Sequence, residues 1–260
     1  MKKTFTPPLF VLLILAALVL SACGGSGGES TQAPEATPTE AAVPTFEVSA
    51  QTAIAKDVLL DPANAADPDS LLVAGYLYEG LVKLDADGLA PALAESWTVS
   101  DDGLDYIFHL RQGVAFHDGQ PFDADAVIAN FSRWFDKEDA SHGSGEYVAW
   151  AGIFGGFKGE KDDAGAPKSA FDGAEKVDDY TVLVHLTKPD SNFLAKLVNP
   201  AFSMVSPAAF GANYFGTSLG TEGGTGPYKI SAWTETGLTL EPFNAYWGGA
   251  PFGTIEFPFQ

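Results

Sequence analysis

The chain changes character at residue 44, and that boundary decides which residues are able to fold. Residues 24–44 are dominated by Gly, Ser, Thr, Pro, Ala and Glu and contain no aromatic residue. Such a segment cannot bury enough apolar surface to offset its chain entropy, so it reads as a flexible leash. Ahead of it, Lys2 and Lys3 precede an apolar run over residues 9–20, with no further charge until Glu29. Twelve apolar residues fall short of the roughly 20 needed to span a bilayer as a helix. A basic end, a short apolar run and small residues follow the order of a secretory signal peptide, assigned to residues 1–22. Any core must therefore come from residue 45 onward. That part is well supplied, because the 260-residue chain carries nineteen Phe, eight Tyr and five Trp. A chain of this mass buries roughly 70% of its unfolded surface on folding.

Charge and cysteine usage remove several function classes. Fourteen Lys and Arg against thirty-four Asp and Glu give a net charge of −20. Loss of Lys2 and Lys3 with a leader deepens it to −22. So few cations cannot assemble the basic face that phosphate backbones require, so nucleic acid is not expected as a partner. The one cysteine excludes intrachain disulfides and Cys-rich zinc sites. It stands at the end of Leu20-Ser21-Ala22-Cys23, which resembles the lipobox of bacterial lipoproteins. The resemblance implies that the Cys23 thiol receives a diacylglycerol and becomes the mature N-terminus, with residues 23–44 as a lipidated linker. The bland alternative is an uncleaved anchor with an incidental cysteine.

From residue 45 the pattern alternates between hairpins and helices. A short strand is expected at residues 46–50. Asp67 as N-cap and Pro68 at the first helical position predict a helix to about Glu79, apolar nearly all round and hence buried. A strand at residues 81–84 turns at Asp85-Ala86-Asp87-Gly88, and another at 97–100 turns at Asp101-Asp102-Gly103 into 105–111. There Tyr106, Phe108 and Leu110 share one face. Asp123 caps a helix with Val127, Ile128, Phe131, Trp134 and Phe135 at helical spacing. Residues 140–173, rich in Gly and Asp, read as loops. Tyr180, Val182, Val184 and Leu186 alternate in a strand, and a short helix follows near residues 192–198. Segments at 223–228, 238–241 and 255–259 complete a mixed α/β pattern without a regular βαβ rhythm.

No catalytic or metal signature emerges. His109 falls in a strand and His117 at a turn, without ligand spacing, so ordinary hydrogen-bonding roles are the better reading. Asp85-Ala86-Asp87-Gly88 begins like a calcium loop but continues with Leu89 and Ser96 where acidic ligands belong. Gly223-Gly224-Thr225-Gly226-Pro227 lacks a following Lys and places Pro where a phosphate-binding amide is needed. There is no Gly-x-Ser-x-Gly elbow. No cofactor is expected, and the chain reads as a non-enzyme.

Taken in order, several blocks resemble extracellular solute-binding proteins, family 5, the receptors of bacterial ABC importers for peptides, dipeptides, opines and nickel chelates. These are Leu60-Asp61-Pro62-Ala63, Tyr78-Glu79-Gly80-Leu81-Val82, Pro91-Ala92-Leu93-Ala94-Glu95-Ser96-Trp97 and Ser100-Asp101-Asp102-Gly103. Phe108-His109-Leu110-Arg111-Gln112-Gly113-Val114, Phe116-His117-Asp118-Gly119, Gly224-Thr225-Gly226-Pro227-Tyr228 and Asn244-Ala245-Tyr246-Trp247-Gly248-Gly249 continue the series. The resemblance implies a type II periplasmic-binding-protein fold of two lobes with an inserted accessory domain. Residues 45–80 and 188–260 would form the first lobe and 81–187 the accessory domain. Family members run to about twice this length, so the second lobe is expected to be missing from a truncated sequence. Ala66, Asp67 and Asp69 are implied to face the ligand cleft, with Tyr246 and Trp247; capping by Asp67 and hinge packing by the two aromatic residues are the structural alternatives. The implied partners are a peptide or related solute, ABC permease and ATPase subunits, and the membrane through a lipid anchor outside the cytoplasm. Rival readings are a lipid-anchored hydrolase using two carboxylates and a scaffold lipoprotein without a ligand.

Overall fold

The computed structural model describes residues 48–49, 53–210, 215–218 and 223–260. The expected leader, the linker and Cys23 lie outside them. After strand β1 (Val48–Ser49) comes helix α1 (Pro68–Leu77). Its start follows from sequence: Asp67 is extended, its carboxylate accepts the Ser70 N–H at 2.8 Å, and Pro68 sits where an amide would have no partner. It ends at Leu77, short of Glu79, because Tyr78 turns extended and tertiary bonds take over. The Glu79 carbonyl accepts Met204 N–H and the Gly80 carbonyl accepts Leu93 N–H. Nor is α1 buried all round. Ser70, Val73, Ala74 and Leu77 are buried, while Leu72 remains 42% exposed. An apolar circumference does not by itself recruit neighbours, and only the stripe that meets the sheet is covered.

Strands β2 (Val82–Asp85) and β3 (Gly88–Pro91) form a hairpin in which Asp85 pairs with Gly88. The Asp85 carboxylate accepts the Asp87 N–H at 2.9 Å, and Gly88, at φ +115°, turns the chain back where a side chain would be strained. Strands β4 (Ala94–Val99) and β5 (Asp105–Leu110) are joined through Asp101-Asp102-Gly103. Helix α2 (Ala124–Phe135) starts at the Asp123 cap, whose carboxylate accepts Ala126 N–H at 3.0 Å. Helix α3 (Val148–Phe154) follows, then β6 (Phe171–Asp178) and β7 (Thr181–Leu186). The four strands make an antiparallel sheet in the order β4-β5-β7-β6, with α2 packed on β6 and β7. Tyr106, Phe108 and Leu110 point into its core, and the Phe131 and Phe171 rings stack at 5.1 Å.

The loop reading of residues 140–173 is corrected by α3 and by the start of β6. No local signal announces α3. It is seven residues long, has no side-chain cap, and is entered from Tyr147 at φ +46°. Trp150 and Phe154, each 1% exposed, hold it by packing into the aromatic core, so tertiary burial supplies what propensity lacks.

Beyond β7 lie α4 (Phe193–Lys196), a 3₁₀ turn at Pro200–Phe202 and α5 (Pro207–Phe210). Strands β8 (Tyr228–Trp233), β9 (Gly237–Pro242) and β10 (Ile255–Pro258) then build a second sheet in the order β1-β10-β9-β8. Its strands pair antiparallel except β1, which runs parallel to β10 with Val48 opposite Ile255. This sheet and α1 enclose a second core containing Ile54, Leu60, Val73, Leu77, Leu240 and Phe257. Among the described residues no helix is long and apolar enough to cross a membrane.

Candidate functional site

The turn after Leu60 is fixed by a buried ion pair. Arg133 of α2 donates to both Asp61 carboxylate oxygens, at 3.1 and 2.6 Å, and both side chains are under a tenth exposed. Burial works against the guanidinium charge, but the hydrogen bonds and charge of Asp61 more than restore it, so the Arg133 pKa lies above its ordinary value. Arg133 also donates to the Ser141 carbonyl, and its guanidinium lies against the Tyr147, Phe210 and Phe215 rings. Leu60 N–H bonds to the Gly216 carbonyl, and the Asp61 carbonyl accepts from Asn64 and Ala65. The turn is thereby clamped from behind.

Asn64 extends the clamp. Its amide nitrogen donates to Asp61 at 2.8 Å, and its amide oxygen accepts the Tyr147 N–H at 3.2 Å. Tyr147 is 1% exposed, its hydroxyl donates to the His142 carbonyl, and burial pushes its pKa up to about 12. Residues 63–66, Gly145, Glu146, Val148, Ala149 and residues 199–201, with Leu71, surround an open cavity of about 610 Å³. The wall is largely apolar, and its charged member is Glu146. Ligand cavities commonly fall between about 300 and 1,000 Å³.

Of the residues expected at a cleft, Ala66 lines this cavity and the others do not. Asp67 caps α1; burial would raise its pKa, but hydrogen bonding from Ser70 outweighs that and holds it low. The Asp69 carboxylate accepts the Ala55 N–H at 2.8 Å. Tyr246 and Trp247 gather elsewhere, around Glu79. The Tyr246 hydroxyl and Trp247 indole N–H each donate to Glu79 at 2.9 Å, and the Thr225 hydroxyl does so at 3.0 Å. Burial raises the Glu79 pKa against the opposing pull of these donors. It also raises that of Tyr246, with the Glu79 charge adding to the effect. The Arg111 guanidinium covers the Trp247 ring at 4.0 Å. Sequence reasoning missed Asn64, Glu146, Asn199 and the Asp61–Arg133 pair. The visible signal was a basic residue between Phe131 and Trp134 on the apolar stripe of α2.

The glycine-rich block has a packing role. A Cβ on Gly224 would stand 1.8 Å from the Leu77 carbonyl oxygen, and Gly226 N–H bonds to that same oxygen at 2.9 Å. Glycine is required so that this segment, just ahead of β8, can lie against the end of α1. His109 is exposed on β5, and His117 Nε2 lies 3.0 Å from the Gly226 carbonyl. Among the described residues no three His, Cys, Asp or Glu side chains converge as a metal site.

Comparison with known proteins agrees with this architecture. The pattern of bacterial extracellular solute-binding proteins, family 5 Middle, matches residues 88–259. The glutathione-binding protein GsiB of Shigella boydii is 37% identical over 191 residues, covering 72% of this chain and 33% of the relative. The ABC transporter-associated periplasmic binding protein DppA of Helicobacter pylori, solved with the peptide STSA, superposes with a TM-score of 0.66 at 29% identity. That match covers 79% of this chain and 41% of the other. HbpA2 of Haemophilus parasuis gives a TM-score of 0.68 at 29% identity, over 80% and 42%. The chain spans about a third of the length of the curated relatives it matches. With its mixed α/β layers, its fold is that of type II periplasmic binding proteins. The chain belongs to the bacterial extracellular solute-binding proteins of family 5.

Proposed function

We propose that this chain forms the ligand-gripping part of a lipid-anchored peptide receptor that serves an ABC importer. The observation that carries the reading is the clamped turn at residues 61–66, which presents a preformed, mostly apolar cavity of about 610 Å³. A binding site held rigid before the ligand arrives loses less entropy on binding. Glutathione, named for the Shigella relative, is a modified tripeptide, and the Helicobacter neighbour holds a tetrapeptide. In this reading residues 45–80 and 188–260 form the first lobe, residues 81–187 are the accessory domain and lend Gly145, Glu146, Val148 and Ala149 to the cavity wall, and closure about a hinge presents the complex to the permease. The ATPase subunit supplies the energy, and no bond is made or broken here. Cys23 carries the lipid, and residues 24–44 give the receptor reach from the membrane.

Calorimetry of the full chain with pools of di- to pentapeptides tests the reading; the chain spans about a third of its relatives' length and supplies part of the contact, so weak but measurable binding is expected. Tight binding of a nickel chelate, opine or sugar with no peptide binding would discard peptides. The anchor is tested separately: Cys23→Ala should lose palmitate label and move to the soluble envelope fraction, whereas an unlabelled wild type held in the membrane would refute it.

A further inference from the structure

We infer that the cavity beside residues 63–66 is selective for a cationic group on a short apolar stem, with Glu146 as its charge-reading residue. This rests on the peptide-receptor reading and narrows its substrate class. The wall supplies apolar contact through Ala63, Ala66, Leu71, Val148 and Pro200, and no Lys or Arg lines it. Its amide side chains are largely committed. Asn64 bonds Asp61 and Tyr147 N, and the Asn199 oxygen accepts Ala201 N–H. Glu146 is exposed on the wall, and no lysine or arginine among the described residues engages it. An anionic group entering here would meet one negative charge and nothing positive, within a chain of net charge −20.

The position of Glu146 is built rather than incidental. Its neighbour Tyr147 is, among the described residues other than glycine, the one at positive φ. A bulky residue in that region costs free energy and persists only where its surroundings impose it. Here they do, through the buried ring, the hydroxyl bond to His142 and the amide bond to Asn64. The result places Glu146 and Val148, on either side of a buried Tyr, at the same cavity wall.

The source of the cation, a peptide N-terminus or a lysine side chain, is separated by the probes. Calorimetry on the full chain would compare leucyl-leucine amide (terminal ammonium only) with acetyl-leucyl-lysine amide (side-chain ammonium only). Neutral acetyl-leucyl-leucine amide and anionic acetyl-leucyl-glutamate amide are the references. At least one cationic probe should bind about three- to tenfold more tightly than the neutral one, and Glu146→Gln should erase that margin without weakening the neutral probe. Val148→Arg, at a position 66% exposed, should shift the preference toward the anionic probe. Equal affinity for all charge types, or a preference untouched by Glu146→Gln, overturns this inference and leaves peptide binding standing. If peptide pools and probes all fail to bind, both readings fall.

Discussion

Replacing Arg133 by Met tests whether the turn at the cavity is held by charge or merely by packing. Methionine is close to arginine in volume, but the guanidinium that lies against the Tyr147, Phe210 and Phe215 rings goes with the charge. What disappears is the bidentate contact to Asp61 and the bond to the Ser141 carbonyl. Asp61 would keep its bond from Asn64 and a 3.3 Å contact from Ala63 N–H, yet it is only 6% exposed and its charge would be stranded. Breaking a buried pair from one side costs about 3–5 kcal/mol. Domains are stable by about 5–15 kcal/mol, so this is a large share. Urea unfolding followed by circular dichroism should show the midpoint fall by about 1–2 M. Adding Asp61→Asn removes the stranded charge, so the double variant should regain about 2 kcal/mol relative to Arg133→Met alone. A single-variant loss below about 1 kcal/mol, or a double variant as weak as the sum of both singles, would refute the argument.

Glu79 gives stability a pH dependence. Its folded pKa lies above the ordinary 4.5, so the folded state holds its proton more tightly than the unfolded state. Its contribution is fully present below about 4.5 and is lost as pH rises through the higher folded value. Thermal melts of wild type should therefore slope downward across that window, and Glu79→Gln should flatten the slope; an unchanged slope would assign it to other groups. Asp67→Ala should cost about 1 kcal/mol in urea unfolding through loss of the α1 cap. Gly224→Ala should cost more than about 3 kcal/mol, because a Cβ cannot share space with the Leu77 carbonyl, and a melt within a few degrees of wild type would contradict the packing.

Local chemistry made much of the fold readable. Asp67-Pro68, Asp123 and Asp85-Ala86-Asp87-Gly88 each satisfy backbone groups within a few residues, so their elements begin and turn where the sequence places them. Helix α3 was not readable, since its hold comes from Trp150 and Phe154 meeting residues far away in the chain. The site divides in the same way. Ala66 was reachable through the motif around Leu60-Asp61-Pro62. Glu146 joins it through its neighbour Tyr147, whose N–H bonds Asn64 83 positions away, and Asp61 meets Arg133 across 72. No periodicity within a single element encodes such meetings. Tyr246 and Trp247, distinctive as sequence, bind Glu79 for the same long-range reason.

The parallel pairing of β1 with β10 has a consequence for how the chain comes together. Val48 must wait for Ile255, roughly two hundred residues later, whereas the β4-β5-β7-β6 sheet is complete once Leu186 has been made. Halving that span by deleting about a hundred intervening residues would lower the closure cost by only about 0.6 kcal/mol. Carrying an inserted sheet is thus nearly free at equilibrium but delays assembly. During synthesis β1 emerges early and stays unpaired while the middle of the chain folds, so among the described strands its backbone edge is open for longest, a window for stray pairing that the early-closing hairpins do not share.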